Sequence, residues 1–189
     1  MARVDGGCGL TLHEAPMPGP QFTPPDDDAF AAEPGWRLLT EWPFPTGKPG
    51  AFVVGDESQA RFRCAYFTDE ARAGALHGKV WFGPGAEGPP LHAHGGAICA
   101  VLDEVLGTAC WASGRRVVAA QLNTSFLKPL PLGEVVRAYG AIVREGTRSI
   151  TLEGHLYSAN GEVYARAEGV FVEMAGETAA TMRAAMERR

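Results

Sequence analysis

Residues 94–112 read HGGAICAVLDEVLGTACWA, and this almost uninterrupted apolar stretch decides the fold. With about 3.6 residues per turn and a Ser113-Gly114 stop, it predicts one helix of four to five turns over about 95–113. Because apolar side chains point in every direction from this helix, we expect it to be buried nearly all round. Asp103 and Glu104 lie side by side at its middle, where each charge would cost at least ~2.5 kcal/mol in a bilayer. The helix is therefore expected inside a folded domain and not in a membrane.

Alternating apolar and polar residues on both sides of the helix predict β-strands. The six predicted strands cover about 60–66, 76–82, 117–128, 134–145, 148–158 and 162–173. Short connections join the last four, and one contains the hairpin signal Asn160-Gly161, so these strands predict an antiparallel meander. A sheet with one apolar face needs a cover, and the helix is the only candidate. The sequence thus predicts an α+β fold with an antiparallel sheet around one long central helix.

The chain divides into three segments by composition. Residues 1–50 form an extension rich in proline, glycine and acidic residues, in which only a short helix around 28–33 is expected. Residues 51–176 form the main domain, and residues 177–189 form a polar tail. Trp36 is too apolar for a free arm, so its part of the extension is expected to pack on the domain or to cover a groove.

Composition restricts the partners of this protein. Its 189 residues carry a formal net charge of -5, which gives no general attraction for nucleic acid or for anionic lipid. The four cysteines are scattered, and none lies at zinc-ligand spacing with the histidines, so no metal site is expected. A reducing cytoplasm fits this cysteine pattern best. The N-terminus lacks a basic segment followed by an apolar run, so no secretory signal is expected either.

A His-Gly-Gly motif opens the predicted helix, and an aspartate follows nine positions after its histidine. The motif residues are His94, Gly95, Gly96 and Asp103, and the segments Leu122-Asn123, 128–132 and 145–148 follow downstream. Over roughly residues 60–173 the chain thereby resembles hot-dog acyl-CoA thioesterases of the phenylacetic-acid-pathway and THEM4-like groups. The resemblance implies hydrolysis of acyl-CoA to a free acid and CoA, with CoA as part of the substrate and no separate cofactor. It also implies a homodimer and leaves a dimer of dimers open.

The start of this helix is suited to stabilising an oxyanion. Gly95 and Gly96 carry no Cβ, so their amides are exposed in the first turn, where the helix dipole is positive. Thioester hydrolysis passes through an oxyanion, and each such donor is worth about 3 kcal/mol. Glycines that only permit a tight loop-to-helix turn would leave the same motif. His94 is expected to orient the substrate carbonyl or to position the helix start.

Asp103 is the predicted nucleophile or general base. Because its neighbours one and two turns away are small, either a strand backbone packs closely there or room is left for a ligand. Asp103 lies roughly 13 Å along the helix axis from its start, too far for both ends to hold one reacting group. The resemblance implies a homodimeric site in which the helix start of one subunit faces Asp103 of the other. Glu104 is the rival acid, since some hot-dog thioesterases use glutamate on this helix. It projects about 100° away from Asp103, and an ion pair or a dimer contact is expected of it.

Contacts to the CoA part of the substrate are also implied by the resemblance. By comparison with THEM4-like proteins they fall on Ser125, Arg137, Arg148 and Ser149, and arginine side chains suit the phosphate groups of CoA. Asn123 shares the polar face of its strand with Ser125 and could supply further hydrogen bonds. Two positions depart from the family pattern: Gly88 stands where some members have asparagine, and Ala119 stands where THEM4-like members have threonine.

Two other functions stay open. The departures at Gly88 and Ala119 are compatible with a hot-dog module that binds acyl-CoA without hydrolysing it. A hot-dog hydratase would need a histidine and an acid arranged across a different loop and helix pattern. The acyl group is not identified by the sequence, although aromatic side chains such as Trp36 and Trp81 could line an acyl tunnel.

Overall fold

The computed structural model describes residues 22–40, 51–56, 58–176, 180, 181 and 184. Its long helix, α1, spans Gly95–Ala112, which confirms the predicted helix. The strands are β1 (Trp36–Leu38), β2 (Phe62–Asp69), β3 (Ala75–Phe82), β4 (Val117–Phe126), β5 (Val135–Glu145), β6 (Ser149–Tyr157) and β7 (Val163–Glu173). Two short 3-10 helices span Asp27–Phe30 and Pro84–Ala86. The predictions for most of residues 177–189 lie outside the described residues.

The seven strands form one antiparallel sheet in the order β1-β2-β3-β5-β6-β7-β4. α1 packs against one side of this sheet and contacts β3 to β7. The side that α1 covers is called the inner face below, and the opposite side is called the outer face. This arrangement confirms the predicted α+β fold, a hot-dog fold in which an antiparallel sheet wraps around one helix.

The predicted meander is correct for β5 to β7 and wrong for β4. β4 pairs with β7 and not with β5, because the β4–β5 connection crosses the end of the sheet. This connection is held against the loop before α1, where Ala93 N donates to Leu130 O at 2.8 Å and Leu132 N donates to Leu91 O at 2.9 Å. Pro129 and Pro131 have no amide hydrogen to offer a hairpin ladder, which favours a crossing over a direct reversal.

Three glycines let the strands approach α1 closely. A Cβ on Gly154 would lie 2.6 Å from Tyr139 O and 2.9 Å from Leu106 Cδ2. Cβ atoms on Gly140 and Gly169 would likewise lie 3.1 Å from Leu106. Because no side chain stands between these strands and the helix, Leu106 is fully buried in the centre of the domain.

One flank of α1 is left uncovered by the sheet. Gly96 and Asp103 are exposed, and Cys99, Ala100 and Gly107 are partly exposed; these five residues are called the open flank below. The expectation that α1 is buried nearly all round is therefore wrong for a single chain. By length and composition alone α1 could cross a membrane, but core helices of soluble proteins pass the same test.

Part of the predicted extension packs on the outer face. Trp36 in β1 stacks on His77 with ring centroids 4.2 Å apart, and the Arg63 guanidinium lies 4.6 Å from the centre of the buried Phe30 ring. The helix expected around 28–33 is only the 3-10 helix Asp27–Phe30. It cannot extend to Glu33, because Pro34 disfavours the helical conformation in the residue before it.

Candidate functional site

His94 caps the start of α1. Its Nδ1 accepts a hydrogen bond from Gly96 N at 2.9 Å, which places the ring proton on Nε2 if the ring is neutral. The His94 carbonyl accepts from Ala97 N at 2.9 Å and from Ile98 N at 3.1 Å. Within the part of the chain that the structure describes, Gly95 N has no acceptor. Both amides were predicted to bind an oxyanion. Among the described residues the Gly95 amide is free, whereas the Gly96 amide is bonded to His94 and becomes available only when the His94 ring moves.

The loop before α1 lies directly against His94. His94 N donates to Ala86 O at 2.8 Å, and a Cβ placed on Gly88 would lie 2.7 Å from His94 Cα. No side chain fits at position 88 unless this backbone moves. At position 88, where some family members have asparagine, the loop thus lies too close to the helix start for a side chain.

Phe126 closes the other side of the helix start. A Cβ on Gly95 would lie 3.3 Å from Cζ of Phe126, and 54% of Phe126 remains exposed. Phe126 was not among the residues predicted for the site, although the alternation of apolar and polar residues in its strand would have indicated it. Leu122 packs against the core, and the two-residue alternation of β4 places Phe126 on the same inner face as Leu122.

Asp103 lies on the open flank of α1. Its side chain is exposed, and within the described ranges no hydrogen bond or ion pair engages it. Its apolar surroundings nevertheless raise the pKa of Asp103 above the ordinary value, because partial burial disfavours the charged form. A carboxylate without a structural partner is available to act on a bound molecule.

Glu104 points into the domain. The Tyr66 hydroxyl and the Val54 amide face its carboxylate, and no described lysine or arginine lies within ion-pair distance. The ion pair considered for Glu104 is therefore not formed within the described residues. Burial raises the pKa of Glu104 to about 7, because these two neighbouring polar groups only partly offset the loss of hydration and the adjacent Asp103 raises the pKa further.

The two parts of the candidate site are separated within one chain. Asp103 follows Gly95 by eight positions in the helix, which corresponds to about 12 Å along the axis. One small reacting group cannot contact both the Gly95 amide and the Asp103 carboxylate of the same chain. Among the described residues, no group of three or more His, Cys, Asp or Glu side chains could hold a metal ion.

Arg137 lies on the outer face, away from the helix start. Its neighbour Val136 is buried in the core, so Arg137 points to the opposite side of β5. There Arg137 Nε donates to Glu33 Oε1 at 2.8 Å, and a second guanidinium nitrogen donates to Ala159 O at 2.7 Å. Arg137 thus binds the extension through Glu33.

The other implied CoA contacts also do not face the helix start of the same chain. Asn123 and Ser125 line an open groove of about 620 Å³ on the outer face. Arg148 and Ser149 lie at the β5–β6 turn, near the C-terminal end of α1, where Arg148 O accepts from Glu173 N at 2.9 Å. Trp36 lies on the outer face. Trp81 lies there too, because its neighbours Val80 and Phe82 point into the core. These two tryptophans therefore do not line a channel beside α1.

Comparison with known proteins supports the hot-dog assignment. Residues 92–165 match the thioesterase superfamily. The acyl-coenzyme A thioesterase THEM4 of Bos taurus is 31% identical over 133 residues, which cover 69% of this chain and 54% of that protein. A solved thioesterase superfamily protein is 34% identical, with a TM-score of 0.55 over 58% of this chain and 55% of that chain. The E. coli PaaI protein is 18% identical and shares the fold, with a TM-score of 0.54 over 61% of this chain and 80% of its own.

The matched segment contains the part of the chain that carries the candidate site. It begins just before α1, includes His94 and Asp103, and ends in β7. The chain spans about half the length of the curated THEM4 relative. From the sequence match over residues 92–165 and from its architecture, the chain is similar to the thioesterase superfamily and has the hot-dog fold.

Proposed function

We propose that this protein is an acyl-CoA thioesterase that hydrolyses an acyl-CoA thioester to a free acid and CoA. One observation carries the proposal: on a domain that matches the thioesterase superfamily, α1 exposes the Asp103 carboxylate and the Gly95 amide, and neither has a partner among the described residues. The name of the bovine relative, an acyl-coenzyme A thioesterase, supports the substrate class.

The proposed site requires two copies of the chain. The Gly95 amide of one subunit donates to the thioester oxygen as it becomes an oxyanion, where one such donor is worth about 3 kcal/mol. Asp103 of the other subunit attacks the thioester carbon or removes a proton from the attacking water. The 12 Å axial separation of these groups within one helix, about eight residues of rise, supports this division between subunits.

His94 has two roles in this scheme. As the helix cap it holds the first turn, and with its ring turned away it releases the Gly96 amide as a second oxyanion donor. Nε2 of the capping ring carries the proton and can donate to the carbonyl oxygen of the substrate. Asn123, Ser125, Arg137, Arg148 and Ser149 stay candidates for contacts to CoA only where a second subunit brings them near the helix start.

Thiol release from a panel of acyl-CoAs tests the proposal. With a chromogenic thiol reagent, the wild-type protein should release CoA, and Asp103→Asn should lower kcat by about a hundredfold or more, because its amide can neither attack nor accept a proton. Glu153→Gln is the matched control, since Glu153 is an exposed carboxylate that lines the outer groove. Equal turnover by wild type and Asp103→Asn would disprove the role of Asp103.

A non-catalytic acyl-CoA binding module is the second candidate. Two observations favour it: the Gly96 amide is already bonded to His94, and Ala119 offers no hydroxyl where THEM4-like members have threonine. Calorimetric titration with acyl-CoA separates the two candidates. Binding without thiol release would establish the binding module and refute hydrolysis.

A further inference from the structure

A strained turn precedes the candidate site. His92 N donates to Pro89 O at 2.9 Å, which closes a four-residue turn with Pro90 and Leu91 as its central residues. Leu91 has a φ of 65°, a left-handed conformation that non-glycine residues rarely adopt. Proline followed by a residue of positive φ is the pattern of a type II turn, whose second central position favours glycine. Leucine thus occupies a position suited to glycine, with 47% of its surface exposed.

Glu87 holds this turn closed. Its Oε1 accepts a hydrogen bond from Leu91 N at 2.8 Å, so the carboxylate binds the amide of the strained residue itself. Gly88 N donates to His92 O at 2.9 Å, and Glu87 forms an isolated β-bridge with Ala93. A charged acceptor on a backbone amide makes one of the stronger hydrogen bonds in proteins. The side chain of Glu87 therefore offsets part of the strain at Leu91.

The turn is coupled to His94 by direct contact. Gly88 directly precedes the turn and packs on His94, and the Ala86 carbonyl accepts the His94 amide at 2.8 Å. His94 in turn engages Gly96 N through Nδ1. If the turn opens, Gly88 moves away from His94, and both the ring position and the first turn of α1 lose their support.

We propose that Glu87 is a positioning residue, which places His94 and the Gly95 amide by stabilising the strained turn at Leu91. Strain at a non-glycine residue next to a functional site is a recurrent feature of sites that must be held in one geometry. The kinetic arm of the test rests on the proposed thioesterase function, and the spectroscopic arm does not.

The kinetic arm compares four variants in the thiol-release assay. Glu87→Ala should lower kcat roughly tenfold with less than about a twofold change in KM, since a charge-assisted hydrogen bond is lost from the positioning of the reacting groups. Glu87→Gln should retain most activity, because its amide oxygen can accept the Leu91 amide. Leu91→Gly should resemble the wild type, and the double variant Glu87→Ala/Leu91→Gly should recover most of the lost kcat, because glycine adopts a positive φ without strain.

The spectroscopic arm follows the imidazole of His94 in full-length protein labelled with ¹⁵N-histidine, assigned with His94→Gln. Glu87→Ala should shift the Nδ1 and Nε2 resonances of His94, and adding Leu91→Gly should return them toward the wild-type positions. Unchanged His94 resonances in a folded Glu87→Ala protein would overturn the proposal, as would a double variant with no recovery in either arm. A wild type without hydrolysis but with the expected His94 shifts would refute the thioesterase proposal and leave the positioning role of Glu87 standing.

Discussion

Adjacent carboxyl groups on α1 have opposite environments. Asp103 lies on the open flank without a partner among the described residues, whereas Glu104 is directed at Tyr66 and Val54. The cause is geometric, because successive helical residues project about 100° apart and only one of the two can leave the domain. Partial burial raises the pKa of Asp103 above its ordinary value, and deeper burial raises the pKa of Glu104 to about 7.

Glu104 should make the stability of the protein dependent on pH. Its pKa is about 7 in the folded protein against an ordinary value of 4.5, so the folded state holds the proton more tightly than the unfolded state. The stability contributed by the neutral form is therefore lost as pH rises from about 4.5 to about 7. The loss amounts to about 3 kcal/mol at most at pH 8.

Glu104→Gln tests this dependence, since glutamine stays neutral at every pH. The Tm of the variant should exceed that of the wild type by about 5 °C at pH 8 and should approach it at pH 4.5. Thermal unfolding followed by circular dichroism over this range provides the measurement, with Glu153→Gln as an exposed control. A wild type and a Glu104→Gln variant with parallel pH profiles would refute the assignment.

α1 and the strands around it depend on close backbone approach. Gly140, Gly154 and Gly169 lie on three neighbouring strands and all contact the Val105–Leu106 part of the helix. Periodicity in the sequence predicts the helix and the strands but indicates no role for these glycines. A glycine inside a strand signals close approach, yet the element approached becomes visible only in the assembled sheet.

Gly154→Ala should destabilise the protein by about 2 kcal/mol, because its Cβ would overlap both Tyr139 O and the Leu106 side chain. The matched control is Gly107→Ala, whose Cβ would lie 3.5 Å from the Phe171 ring, an ordinary contact. This helical substitution should be neutral or stabilising by up to about 1 kcal/mol. Urea unfolding of both variants gives the comparison, and equal stability of the two would contradict the packing argument.

Within the described residues, two features lack a partner: the open flank of α1 and the free edge of strand β4. β4 has ten residues, reads VVAAQLNTSF, and carries neither charge nor proline. Edge strands of monomeric proteins are usually blunted by such residues, because their free backbone groups invite pairing. We therefore expect a second copy to pair along β4, which would also bring the open flanks of two α1 helices together.

Ala119→Lys should break this pairing, since a lysine on an edge strand opposes strand addition. Sedimentation velocity should give about twice 20.1 kDa for the wild type and 20.1 kDa for the variant. Leu38→Lys is the matched control, because Leu38 is an exposed residue of the opposite edge strand, β1, and its variant should stay dimeric. The Ala119→Lys monomer should lack turnover, so an active monomer would contradict the two-subunit site.

Local patterns in the sequence were sufficient to predict the central helix and the β6–β7 hairpin. The apolar run after His94 defined α1, and the Asn160-Gly161 hairpin defined the β6–β7 pair, because helix and hairpin geometry depend on residues close together in the chain. The offset between His94 and Asp103 is likewise a local pattern, and it places both residues of the proposed site on α1.

Only the tertiary structure placed β4 beside β7, turned Arg137 to the outer face, and engaged the Gly96 amide with His94. It also revealed Glu87 and Phe126 at the helix start. These features depend on contacts between segments far apart in the chain and on the direction in which each side chain leaves its strand. No periodicity encodes them, because periodicity reports which face is apolar and not which neighbour covers it.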